Sequence, residues 1–291
     1  MKLTYINESN LGLTLTYSYP FFLQGLEGED GLKNQIINSS SSYEDGSAVI
    51  NTKINERYIN LAGIIKGLTV DDMLNRRKEL MKVFNPKIKG KLIYENGKTK
   101  RTIECYVEDA PKFSNRNIRT QQSFIISLYC FNPYWTDISE IKAEIALWRG
   151  NFHFPLSIPK NIGSAMGVKQ PSLIVNIFNK GDVKTGMLIE FKARGSVTNP
   201  SLFNVNTREY IKVKKQMVAG EVIRINTNFN KKRIESVING TVKNILNLID
   251  LGGGDTFLQL DVGDNLFRYD AEENLNNLEV SIYYNPYYLG V

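Results

Sequence analysis

Arg57-Tyr58-Ile59-Asn60-Leu61-Ala62-Gly63-Ile64-Ile65 opens the stretch, Glu56 to Trp135, around which the rest of the chain is organised. Its first run reads as a strand, and Val70 to Phe84 then reads as one well-signalled helix. Thr69 is a good N-cap, Asp72 three residues on makes an approximate capping box, and Asp71 and Asp72 meet the positive end of the helix dipole. Val70, Met73, Leu74, Leu80, Met81 and Phe84 follow the three–four spacing of a single buried face, expected to be ordinary core. Arg76, Arg77, Lys78 and Lys82 fill the other face, and Asn85-Pro86 stops the helix. A hairpin follows, Lys91 to Tyr94 and Arg101 to Val107, around Glu95-Asn96-Gly97-Lys98, whose Asn-Gly pair favours a tight two-residue turn. A last strand, Gln122 to Phe131, runs into Asn132-Pro133-Tyr134-Trp135.

Outside this stretch the bulk numbers set bounds. At 291 residues the chain exceeds the usual size of one core, so two domains are expected: 1–138, a connector over 139–149, and 150–291. A hydrophobic content of 42% with 23% charged residues is that of a folded protein, and Tyr, Phe, Ile, Val and Thr lean toward β structure. A net charge of +6 is mild and does not by itself argue for nucleic acid. Cys105 and Cys130 fall inside apolar strand patterns and read as buried free thiols. The N-terminus lacks the apolar core of a signal peptide and no window is apolar enough for a membrane span, so synthesis and initial residence in a reducing cytoplasm are expected.

Leu3 to Ile6 and Leu11 to Thr16 alternate apolar and polar, as half-buried strands do. Gln24 to Gly46 differs. Gly25, Gly28 and Gly31 lie among acids, Ile36 and Ile37 form a short strand candidate, and Asn38, Ser39, Ser40 and further serines follow. A loop region this long around an isolated strand reads as an interaction arm. Lys87, Lys89, Lys91, Lys98, Lys100 and Arg101 cluster on the hairpin; with no interleaved aromatics they read as a solvated face rather than a phosphate patch. Ile138, Ile141, Ile145 and Leu147-Trp148 read equally as a short helix or a long strand. Beyond them come eight or nine short runs at 152–156, 173–178, 187–193, 201–205, 210–213, 221–226, 233–237, 256–260 and 278–284, punctuated by Gly, Asn and Pro. They predict a β-sandwich, with only Ile245 to Leu251 a helical candidate. The fold class is mainly β with one principal helix.

The chemistry-bearing residues are few. The single histidine, His153, sits between Phe152 and Phe154, with no second His or paired Cys for a zinc site. Gly252-Gly253-Gly254-Asp255 lacks the Lys-Ser/Thr of a phosphate loop, and no Gly-x-Ser-x-Gly elbow occurs. Asp250, Asp255, Asp261 and Asp264 match no calcium loop and read as turn residues. The sequence makes no positive case for an enzyme, a metal or a cofactor.

One constellation is more specific. Tyr19-Pro20-Phe21, the Gly-rich acidic segment, Asp45-Gly46-Ser47, Arg57 to Gly63, Arg76-Arg77-Lys78-Glu79-Leu80, Asn85-Pro86 and Gly90 to Tyr94 occur in order. Arg101-Thr102-Ile103, Val107 to Phe113 and Cys130 to Trp135 complete it. In this the chain resembles the distal tail proteins of long-tailed bacteriophages and of related phage-tail-like particles. The resemblance covers residues 1–135 through many spaced motifs. It is looser beyond, at Phe154-Pro155-Leu156, Gly181-Asp182, Asn199-Pro200, Gly263-Asp264-Asn265 and Tyr283 to Tyr288.

The resemblance implies a hexameric ring of N-terminal domains around a channel for DNA and the tape-measure protein, joining the tail tube to the tip or baseplate hub. It places the protein in a virion tail assembled in the host cytoplasm, without catalysis. It also implies a galectin-like C-terminal sandwich. Galectins bind sugar through His-x-Asn-x-Arg and a Trp-Glu pair, whereas here Phe-Pro-Leu follows His153 and the tryptophans stand in Trp135-Thr136 and Trp148-Arg149. The second domain therefore reads as a docking platform, with a carbohydrate-binding module for cell-surface recognition as the alternative.

Overall fold

The computed structural model describes residues 1–40, 42–43, 45–114, 120–145, 148–150, 167–169, 174–250 and 257–291, with backbone alone for 148–150 and 167–169. His153, Phe154-Pro155-Leu156, Leu147 and Gly252 to Asp255 lie outside the described residues. The chain divides into two compact units, Met1–Ile138 with Tyr287–Val291, and Ser139–Pro286. The segment read as a connector belongs to the second unit, and the last five residues belong to the first.

The first unit is built from β1 (Lys2–Asn7), β2 (Gly12–Leu15), β3 (Phe21–Glu27), β4 (Asn34–Ser39), β5 (Ala48–Ile54), β6 (Arg57–Lys66), helix α1 (Val70–Val83), β7 (Gly90–Asn96), β8 (Thr99–Phe113), β9 (Gln121–Cys130) and β10 (Trp135–Thr136). The main sheet runs β2-β1-β7-β8-β9-β6-β3. Its two ends meet in a bridge between Thr16 and Phe22, where the Thr16 amide donates to Phe21 O at 3.1 Å and the Leu23 amide to Thr16 O at 2.6 Å. A sheet that closes on itself leaves no edge to manage. β8 is long enough to serve two neighbours, pairing with β7 through Cys105 and with β9 from Tyr106 onward, with register shifts on the β9 side that bend it. β10 pairs with β8 at Thr102 and with Tyr287–Tyr288.

The alternation of β6 decides what lies inside. Ile59, Leu61 and Ile65 are buried, and Leu92, Ile103, Val107, Ile126 and Leu128 join them in one core. α1 begins as expected, with Thr69 Oγ1 accepting from the Asp72 amide at 3.1 Å. Its buried stripe is narrower than the spacing predicts. Met73, Leu80, Val83 and Phe84 are buried, whereas Val70, Leu74 and Met81 are exposed, because the helix touches the sheet along one row only. Phe84 stacks on Tyr5 with centroids 4.3 Å apart, and the buried Asn7 amide caps Val83 O at 3.0 Å. Gly90 is dictated by this packing, since a Cβ there would lie 2.2 Å from Tyr5 Oη. In the hairpin, Asn96 pairs with Thr99, so the two-residue loop is Gly97-Lys98. The positive φ falls on Gly97 at +57°, the first loop position, rather than on an Asn-Gly pair.

The second unit is a sandwich. Its larger sheet contains β11 (Ile141–Glu144), β13 (Met187–Ala193), β16 (Val222–Asn226), β17 (Arg233–Ile238), β18 (Thr241–Asn244) and β20 (Leu278–Tyr284), in the order β11-β20-β13-β16-β17-β18. Its smaller sheet is β12 (Ile174–Asn179), β19 (Gly263–Asp270), β14 (Ser201–Asn204) and β15 (Tyr210–Lys212), in the order β12-β19-β14-β15. Ile189, Ile223, Ile225, Ile234 and Ile282 of one sheet share a core with Ile177, Leu202, Ile211, Phe267 and Tyr269 of the other.

One open reading is settled here and three expectations change. Ile141 belongs to a strand and not a helix. Asp264 and Asn265 do not merely turn the chain but begin β19, which Gly263 enters at φ +87°. Of the run at 256–260, Leu260 makes only a single bridge to Thr185. The helical candidate at 245–251 is a single 3-10 turn, Leu246–Leu248.

Candidate assembly surfaces

Residues 24–46 contain more structure than a loop around an isolated strand. Gly25 belongs to β3, opposite Ala62, and so lies in the closed sheet rather than in the arm. The chain leaves the sheet at Gly28, whose φ of +86° and position make glycine obligatory, because a Cβ would lie 2.0 Å from Tyr58 O. After Gly31, at φ +66°, β4 and β5 form an antiparallel hairpin from Asn34↔Ile54 to Ser39↔Ala48 with a bulge at Ile37/Asn38. Among the described residues this hairpin pairs with no other strand. Ile36 (58%), Ile37 (41%), Val49 (61%) and Ile50 (67%) are exposed on it. Ser40 is exposed at its outer end. Successive side chains of a strand point to opposite faces, so exposed Ile36 and Ile37 leave both faces of the arm apolar and open.

The base of the arm is clamped by one buried cation. Arg57, 3% exposed, donates from Nη1 to Gly28 O at 2.6 Å and Glu29 O at 2.7 Å. Its Nε reaches Pro133 O at 2.7 Å and its Nη2 reaches Leu289 O at 2.6 Å. Trp135 Nε1 adds a second bond to Glu29 O at 2.9 Å. Burial pushes the guanidinium below its ordinary value, against the opposing pull of Cys130, Asp30 and Glu29. An arginine is suited to this place because its fork satisfies several acceptors at once. Sequence reading missed it, although the signal existed. Arg57 stands in the same alternation as Ile59, Leu61 and Ile65, the inward phase of β6.

A second surface lies on the outer side of the closed sheet. Tyr58, Tyr129 and Tyr106 are directly opposite one another across β6, β9 and β8. The Tyr58 and Tyr129 rings are 5.5 Å apart, and Phe131 lies 6.1 Å from Tyr106 with Lys89 Nζ 5.2 Å from its own ring. Tyr58, Tyr106, Ile125 and Phe131 are all exposed. Partial burial, then Glu108 and Glu56, push the Tyr58 phenol up. This row was also legible as aromatic residues in the outward phase of three strands, yet it went unread.

The remaining candidates resolve into local structure. Lys89 pairs with Glu104 at 2.8 Å, Lys100 with Glu95 at 3.4 Å and Arg101 with Asp137 at 2.5 Å. Asp250 pairs with Lys214 and Asp261 with Lys184, each at 2.9 Å, while Asp264 accepts from Asn176 at 2.6 Å. Cys105 and Cys130 are buried and free. The neighbouring Cys130 sulfur and burial push the Cys105 thiol up. Among the described residues no three His, Cys, Asp or Glu gather to hold a metal, and no helix is long and apolar enough to cross a membrane.

Comparison with known proteins follows the same two-unit division. Residues 11–130 match a family described as phage tail protein, RIFT-related domain, and residues 180–288 match the siphovirus-type tail component, C-terminal domain. No curated protein sequence matches the chain. Among solved structures, the Dit protein of phage SPP1, described as a paradigm of the hub adsorption apparatus in phages infecting Gram-positive bacteria, superposes with a TM-score of 0.69 at 13% identity over 98% of each chain. A chain of the phage P2 baseplate, in its activated conformation with calcium, gives 0.55 at 11% identity over 100% of each chain, and the strontium form gives 0.54. At these identities the likeness carries the fold.

Proposed function

The chain belongs to the siphovirus-type tail component family, whose members are structural parts of the phage tail and baseplate, and from that premise we propose that it is a distal tail protein closing into a hexameric ring. The ring joins the tail tube to the tip or baseplate hub, surrounds the path of DNA and tape-measure protein, and performs no catalysis.

One observation supports this reading above the others. A head-to-tail interface requires two different surfaces on the same chain. The first unit presents two: the unpaired β4–β5 arm and the aromatic row Tyr58-Tyr129-Tyr106. An arm with open edges and apolar faces is suited to adding strands across a neighbour. A stable contact buries at least ~1,000 Å² in total, which an arm extends more readily than a compact body.

The test removes the arm. The Asn55 amide donates to Lys33 O at 3.0 Å, so the ends of residues 34–54 are adjacent and a short Gly-Ser linker closes the gap. Mass photometry and negative-stain imaging of the intact chain should find particles near six times 33.1 kDa with a central hole. The deleted chain should remain folded and monomeric. Rings that survive the deletion would overturn the role of the arm, and an intact chain that stays monomeric even with tail tube present would overturn the ring.

A further inference from the structure

The open face of the larger sheet in the second unit carries a constellation that the ring reading does not use. Its underside is fully buried, with Ile189, Ile225, Ile234 and Ile282 all at 0% exposure, so the outward side chains stand on a rigid floor. Two adjacent rows cross that face. Tyr283, Leu188, Asn226 and Arg233 are opposite one another in the first, and Ser281, Glu190, Arg224 and Glu235 in the second. All of these but Ser281 line, together with Glu140, a groove of about 440 Å³.

The groups within it are already oriented by one another. Arg224 Nε donates to Glu190 Oε1 at 2.8 Å, and Arg233 Nε lies 3.5 Å from Glu235 Oε1. Asn226 Oδ1 accepts from the Asn228 amide at 3.0 Å, which fixes its carboxamide. Each pair therefore spends one donor on orientation and keeps others: an arginine has five N–H donors and a carboxylate has several acceptor sites. Burial, and then the charge of Glu190, push the Glu140 carboxyl up, which places the two acids in one electrostatic environment. Tyr283 supplies a half-buried ring at the end of the first row, with Lys142 Nζ 5.7 Å from its centroid.

Charge and polarity narrow the class of ligand. Three carboxylates and two guanidinium groups line the groove, an excess of a single acid, and both guanidinium groups are already paired with carboxylates, so neither an anion nor a cation is strongly favoured. Protein contacts concentrate affinity in apolar and aromatic anchors with few acids, whereas this groove holds three acids around one tyrosine. Fixed donors and acceptors beside an amphipathic ring suit a neutral molecule dense in hydroxyl groups. We propose that this face binds a neutral saccharide, one or two sugar units deep. The site stands without the ring; six copies on one particle would add avidity to a weak contact.

The experiment uses the full-length chain, fluorescently labelled, on an array of neutral and anionic oligosaccharides, followed by titration calorimetry with the best-retained glycans. Retention of neutral glycans is expected. Arg224→Ala and the near-isosteric Glu190→Gln should each weaken it by roughly tenfold, the value of one lost hydrogen bond, with unchanged melting and unchanged particle mass. Failure to retain any neutral glycan, restriction to anionic glycans, or binding indifferent to both substitutions would overturn the assignment. Because particle mass is read in parallel, loss of the saccharide site and loss of the ring are separate results.

Discussion

Two hairpins of the first unit obey the same local rules and end in opposite circumstances. In β7–β8, Leu92, Tyr94, Ile103 and Cys105 share the inward phase of their strands, and every one of the four is buried inside the closed sheet. In β4–β5 the apolar residues come as neighbours, Ile36-Ile37 and Val49-Ile50, and remain exposed on both faces. An isolated two-stranded hairpin is marginal in water, so an element with this pattern is completed by something outside its own unit. Both hairpins contain adjacent apolar residues, Leu92-Ile93 in one and Ile36-Ile37 in the other; what separates them is that one phase of β7–β8 is covered by its own unit, whereas both phases of β4–β5 stay open.

Breaking the arm tests that contrast most strongly. Ile36→Asp with Ile50→Asp should abolish assembly by mass photometry while leaving monomer stability within about 0.5 kcal/mol, as exposed substitutions do. In the arm-deleted background, where urea unfolding reads one chain, Arg57→Ala should cost about 4 kcal/mol, because several buried carbonyls lose their shared donor. Arg57→Lys should recover only part of it, since one ammonium does not reproduce the fork. Leu92→Ala in the covered hairpin should cost about 3 kcal/mol through a cavity, against no measurable change for Ile36→Ala in the full-length monomer. Thr69→Ala, at the cap of α1, should cost about 1 kcal/mol.

The smallest effect is one of pH. Asp72 accepts from the Leu68 amide and from Tyr19 Oη, each at 2.9 Å, and these bonds hold its carboxyl below the usual carboxylate range. A depressed folded pKa contributes stability above the unfolded value, near ~4, that is lost as pH falls through the folded one. Urea midpoints should therefore fall more between about pH 5 and about pH 3 for the parent than for Asp72→Asn. Equal slopes would remove Asp72 from the account.

Much of the fold was legible because its signals are local. The Thr69 cap, the Pro86 stop and the alternation at 57–65 each depend on neighbours within a turn or a strand. The misreadings share a different cause. β19 begins Gly-Asp-Asn, turn chemistry by composition, and only its place between β12 and β14 makes it a strand. Val70, Leu74 and Met81 fit the helical period, but the period gives a direction and not the width of what lies opposite. Arg57 was passed over because a charged residue in an inward phase looks like an exception until its partners are seen.

By itself the sequence determined the helix, the hairpin strands and the alternation that sorts inward from outward residues, because a few adjacent dihedrals and side chains set these. Tertiary structure alone decided that β2 and β3 meet at Thr16 and Phe22, that Leu289 returns to the guanidinium of Arg57 and that Tyr288 pairs with Trp135. Such contacts depend on which strand edges and buried acceptors remain unfilled once every other element is placed. No local stretch of residues contains that information.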